Sequence, residues 1–149
     1  MIDLEVEDAA WTAALPEAGA LVLAAAEATL ASEGAVGEGV SLLLTDDAAV
    51  RELNRRFRRL DKPTNVLSFP APQNPERFLG DVALAFGVCA REAEEQGKPL
   101  AHHLQHLVAH GVLHLLGYDH ETDAQADEME GLERAVLAGL GVPDPYLAG

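Results

Sequence analysis

Three histidines spaced as His110-x3-His114-x5-His120 carry the strongest chemical signal in this sequence. His110 and His114 lie four apart in a segment predicted to be helical, so their rings project from one face, one turn apart. Gly117 follows Leu115 and Leu116. It suits the C′ position, where a left-handed backbone ends a helix and turns the chain back. That turn would return His120 to the same ion. Three neutral imidazoles at about 2.0–2.1 Å leave one tetrahedral position open, as catalytic rather than structural zinc sites do. One Zn2+ per chain is therefore the expected cofactor, and zinc so held can lower the pKa of a bound water to about 7.

The neighbouring residues refine this expectation. Asp119, beside the third histidine, reads equally as a group that orients a ligand ring or acts on the bound water and as a solvated turn residue. His106, one turn before His110, is placed to support the site from behind or to meet a substrate, whereas His102 and His103 read as partly exposed helix histidines. Position 111 is glycine, where H-E-x-x-H metalloproteases carry the glutamate that serves as general base, and this counts against a peptidase. A lone Cys89 allows no internal disulfide, fits a reducing compartment and removes thiolate-rich zinc chemistry.

The net charge of −15 argues at first against a polyanionic partner. Its distribution is uneven. From Arg51 to Lys62 lie six of the ten basic residues against two acids, a local +4 in a chain that is otherwise −19. Such a patch can attract a polyanion that the remaining surface repels; a solvated helix face is an equal reading.

These residues need a scaffold, and 149 residues suffice for one domain, expected to span 1–149, with one core. Ile2–Glu7 alternates apolar and acidic side chains and predicts a strand. Pro16 opens an Ala-rich helix to about Ser32, Val40–Thr45 is a central strand, and Asp46 is an N-cap for a helix that ends before Pro63. Asn65–Phe69 and Asp81–Phe86 are two further strands, flanking a Pro-rich loop from Pro70 to Gly80 read as a cleft wall. Helices follow from Val88 to Gln96, from Leu100 to Leu116, and from Asp123 behind a Thr122/Gln125 capping box. Met129, Leu132, Val136 and Leu140 form the core stripe of the last helix. The order predicts an α+β (mixed α/β) fold: about four strands in a mixed sheet, three roughly parallel and one added by a return connection, with helices around it. No stretch reaches the roughly 18 apolar residues of a membrane span, and the acidic start lacks the basic region of a signal peptide, so a cytoplasmic location without membrane contact is expected.

Two blocks of the sequence match a known family. His110-Gly-Val-Leu-His-Leu-Leu-Gly-Tyr-Asp-His120 resembles the signature of the YbeY-type endoribonucleases, the bacterial rRNA maturation factors, and Phe57-Arg-Arg-Leu-Asp-Lys-Pro-Thr-Asn-Val-Leu-Ser-Phe-Pro70 resembles its second hallmark. Gly80-Asp81, Met129 and Glu133 extend the similarity over about residues 53–133. The resemblance implies a sheet with helices around a three-histidine centre, related in plan to zinc metalloproteases. It also implies metal-dependent cleavage of single-stranded RNA in small-subunit rRNA 3′-end processing and ribosome quality control, with the small ribosomal subunit or its assembly factors as partners. Carried over by position, the ligands are His110, His114 and His120, and the family's functional arginine is Arg58. A guanidinium there could clamp a phosphate bidentately, so Arg58 and His114 are the candidate catalytic residues. Arg55, Arg59 and Lys62 are candidate RNA contacts. Phe57 and Asn65 stand where the family more often has Tyr and Asp, which removes a hydroxyl and a charge but no ligand. Two competing functions are a zinc peptidase or other small-molecule hydrolase and a non-enzymatic ribosome-assembly factor with structural zinc.

Overall fold

The alternating start of the chain forms β1 (Ile2–Val6), and the apolar runs form β2 (Gly39–Thr45), β3 (Val66–Pro70) and β4 (Phe78–Ala85) in the computed structural model, which describes residues 1–147. The four strands make one mixed sheet in the order β1-β2-β4-β3. β1, β2 and β4 are parallel, and β3 lies antiparallel to β4 at one edge. The expected count holds, three parallel strands and one reversed, but the reversed strand is β3 and not the last one: the chain leaving α3 enters at the sheet edge, and the Pro-rich loop turns it back so that β4 runs parallel between β3 and β2.

The period-2 pattern separates two cores. Val40, Leu42 and Leu44 of β2 and Val82 and Leu84 of β4 are fully or almost fully buried in the larger one. They share it with α2 (Ala18–Ser32) and α5 (Leu100–Leu115), and each such side chain contributes about 1.5–3 kcal/mol by leaving water. Ala18, Ala25 and Ala26 are completely buried there. The other face of the sheet turns Leu67, Ala83 and Ala85 towards Val50 of α3 (Asp47–Arg58). Asp46 caps α3 by accepting from the Ala49 N–H at 2.8 Å, and Arg55, Arg56 and Arg58 occupy its last turn, where cations meet the negative end of the helix dipole.

Three further features differ from the expectation. A short helix, α1 (Ala10–Ala14), precedes α2 and buries Trp11, whose indole N–H donates to the Thr45 carbonyl at 3.0 Å. Five residues are too few for helical periodicity to register. β4 starts at Phe78, inside the expected loop, because Gly80 is part of the strand: its φ is +143°, and a Cβ would lie 2.3 Å from the Phe69 carbonyl oxygen. The glycine marks a close backbone approach rather than a turn. β4 also passes directly into α4 (Phe86–Glu95), two residues before the predicted start. The Pro-rich loop does border a cleft, with Glu38 and Leu115, but not the one that holds the histidines. It leaves β3 at Pro70, the end away from Asn65.

Candidate metal centre

α5 runs through the larger core and lays its histidine face beside edge strand β3. The approach is close because residue 111 is glycine: a Cβ there would come within 2.8 Å of Val82 and 3.2 Å of the Ser68 hydroxyl. Ser68 uses that proximity to donate to the Gly111 carbonyl at 3.0 Å. Residue 111 thus faces the sheet, and a glutamate could not fit there to serve as a base.

The end of α5 brings the third histidine back. Gly117 has φ +102°, its N–H donates to the His114 carbonyl, and the Tyr118 N–H reaches back to the Leu113 carbonyl, a Schellman closure. The Tyr118 hydroxyl donates to Glu33 at the end of α2 and pins the reversed chain. One nitrogen each from His110, His114 and His120 then lies within 4.8 Å of the others.

Which nitrogens face the common point is decided behind the rings. His110 Nδ1 donates to Glu133 Oε2 at 2.9 Å, and His114 Nδ1 donates to the Tyr118 carbonyl at 2.9 Å. An ionised carboxylate and a carbonyl only accept, so both imidazoles carry their proton on Nδ1 and a lone pair on Nε2. The two Nε2 atoms stand 3.0 Å apart. Two lone pairs facing each other at that distance repel unless a cation lies between them, which is how these residues fit a divalent metal. Burial, with the like charge of His110 and His120, lowers the His114 pKa, so its ring is neutral and able to ligate near pH 7.

Glu133 is the residue that spacing did not single out for a role. It belongs to α6 (Asp123–Gly139), whose buried stripe is Met129, Glu133, Val136 and Leu137, with Leu132 and Leu140 half-buried. A carboxylate with no exposed surface is costly unless partnered. Burial alone would push its pKa up. Hydrogen bonds from His106 Nε2 (2.5 Å), His110 and the Tyr146 hydroxyl (2.5 Å) outweigh it and hold the group at about 2. An acid inside an otherwise apolar helical stripe was the available signal. His106 thus meets Glu133 and through it His110. His103 was expected to be partly exposed but is 4% exposed, with its Nε2 bonded to Glu92 at 3.0 Å, because its turn of α5 is covered by α4.

In front of the histidines lies a cleft of about 500 Å³ lined by His110, His114, His120, Asp119, Ser68 and Arg58, among others. Asp119 accepts from the His120 N–H at 2.8 Å. Of the basic patch, only Arg58 lines this cleft. Arg55 pairs with Glu52 and Arg51 with Asp61 in exposed ion pairs, Arg59 ends α3 in a left-handed conformation, and Lys62 holds the Asn54 amide through its carbonyl.

A mixed sheet with a central helix presenting two histidines, a glycine turn returning a third and a cleft in front makes an α/β domain whose open site could hold a metal ion. The comparisons with known proteins identify its family. A family model for endoribonuclease YbeY matches residues 5–141, and the chain belongs to that family. The endoribonuclease YbeY of Azorhizobium caulinodans is 55% identical over 152 residues, covering 97% of this chain and 95% of that one. The endoribonuclease YbeY of Rhodopseudomonas palustris strain BisA53 is 55% identical over 140 residues, covering 87% and 81%. A solution structure of a Thermotoga maritima protein shares the fold, with a TM-score of 0.58 at 23% identity over 99% of both chains. No helix among the described residues is long and apolar enough to cross a membrane.

Proposed function

We propose that this chain, acting as one domain, is a zinc-dependent endoribonuclease that cuts single-stranded RNA in the cytoplasm. Its expected task is maturation of the small-subunit rRNA 3′ end and ribosome quality control, in contact with the small subunit or its assembly factors. The observation that carries this reading is the sharing of one cleft by the three histidines and Arg58.

His110, His114 and His120 would hold the ion, an all-imidazole donor set that suits zinc. When bound, zinc supplies Lewis acidity and an activated water at neutral pH. The chain's own residues do the rest. Arg58 reaches the cleft from the end of α3 and offers a permanent positive charge to the scissile phosphate, which it can hold bidentately and stabilise as charge grows on the phosphoryl oxygens. Glu133 and the Tyr118 carbonyl fix the two helical imidazoles, so no reorientation accompanies binding. Asp119 lies beside His120 and can accept a proton from the attacking group. The attack comes from water or from the ribose 2′-hydroxyl.

The test uses protein purified without a histidine tag and a short single-stranded RNA. The zinc-loaded form should cleave it, the stripped form should not, and restored zinc should rescue. A 2′,3′-cyclic end would assign the attack to the 2′-hydroxyl, and a 5′-phosphate with a 3′-hydroxyl would assign it to water. Zinc-loaded protein that cleaves no RNA yet rescues rRNA processing in cells would sink the enzymatic reading.

A further inference from the structure

The metal cleft does not end at Arg58. A second groove, about 770 Å³ in volume, begins where the cleft stops and shares both Arg58 and Ser68 with it. The two are joined across edge strand β3, whose alternation sends Ser68 towards α5 and Phe69 to the opposite face. The floor of the groove is apolar, made of Leu43, Leu53 and Ala83, and its wall is aromatic. Phe57 and Phe69 meet edge to face with centroids 5.5 Å apart, and Phe57 is 61% exposed. Arg56 lies over the Phe57 ring at 5.4 Å.

Phe57 keeps most of its surface open one residue from the arginine that lines the metal cleft, and with Phe69 it walls the groove. We propose that this groove receives the nucleobase adjacent to the scissile phosphate, stacked on Phe57. The inference rests on the RNA reading of the metal cleft. Continuity favours the position, because Arg58 lines both the cleft and the groove, so a phosphate held there leaves the adjoining nucleotide beside the wall that Phe57 and Phe69 form. Charge fixes which part of that nucleotide enters. Apart from Arg58, the charged groups lining the groove are Glu5 and Asp81, which repel a phosphate but can accept hydrogen bonds from a base. The backbone therefore stays with Arg58 and Arg56 while the base turns in. Every base has a π-face, so the subsite needs an unpaired base rather than a given sequence.

The experiment compares zinc-loaded wild type, Phe57→Ala and Phe57→Trp on a single-site RNA oligonucleotide and on versions lacking the base at each position flanking the cut. Phe57→Ala should raise KM about tenfold, the size of one lost base–aromatic stack, and should weaken binding of a fluorescent oligonucleotide alike. Bound zinc should stay stoichiometric, and Phe57→Trp should retain wild-type affinity. Removing one flanking base should cost the wild type a similar factor and cost Phe57→Ala little more. If the two penalties multiply at every position, or if Phe57→Ala binds RNA as the wild type does, the groove does not hold a base and serves another ligand. Failure of the wild type itself to cut RNA is a different result, which removes the RNA reading and this subsite with it.

Discussion

The two halves of the site are built in opposite ways. On the α5 and α6 side, His110 and His114 are half-buried, each ring is fixed by a hydrogen bond at Nδ1, and the carboxylate behind them has no solvent exposure. On the α3 side, the arginines stand on an exposed last turn, and the ion pairs there, Arg51 with Asp61 and Arg55 with Glu52, are more than half exposed on the arginine. Pairs of that kind add little to stability. Metal geometry must be set before a substrate arrives, which demands a dry and satisfied network. A polymer with variable bases is better met by long side chains that can adjust.

That contrast can be broken at four points. The largest effect is expected for His114→Ala, which removes a donor and should abolish both cleavage and stoichiometric metal, as elemental analysis and an RNA assay would show together. Metal retained with activity lost would mean that His114 acts other than as a ligand. Arg58→Ala should lower kcat by about 10²–10³-fold, the range for losing one preorganised donor to developing charge, while leaving metal content untouched. Metal loss in that variant would erase the division between the halves. Glu133→Gln should weaken metal affinity by about 10–100-fold, measured by competition with a chelator, because the outer partner of His110 changes. The smallest effect is expected for His103. Burial lowers its pKa from the ordinary 6.5, an effect only partly offset by Glu92, so the unfolded chain takes up the proton first as pH falls. Folding stability from this residue is thus complete above about pH 6.5 and declines as pH drops towards the lower folded value. His103→Gln should flatten that decline in thermal midpoints measured with chelator present for both proteins.

The sequence made the metal side more legible than its support. The convergence of His110, His114 and His120 follows from helical spacing and one glycine turn, both local properties. That the sheet would be mixed, with three strands parallel, was legible because strands joined by helices have few routes available, whereas which strand reverses was not, because it depends on where the chain leaving α3 meets the sheet. Glu133 was not, because its role depends on α6 lying against α5, a tertiary fact that an isolated acid in an apolar stripe signals only in hindsight. Gly80 misled for a related reason: the same residue type serves turns and close backbone contacts, and only the position of Phe69 across the sheet distinguishes them. The basic patch was legible as a cluster, but which of its members reaches the metal cleft depends on where α3 ends.

Gly111 also constrains how this scaffold can change over evolutionary time. The H-E-x-x-H arrangement needs a glutamate at this position, but any side chain here strikes Val82, whose branched Cβ cannot swing aside, and crowds Ser68. The substitution would have to wait until the sheet had been carved out at both neighbours, and either change made first would loosen the contact that seats the metal helix. A glutamate at position 111 would therefore call for companion changes at Val82 and Ser68, although the chain already carries the two helical histidines of that motif.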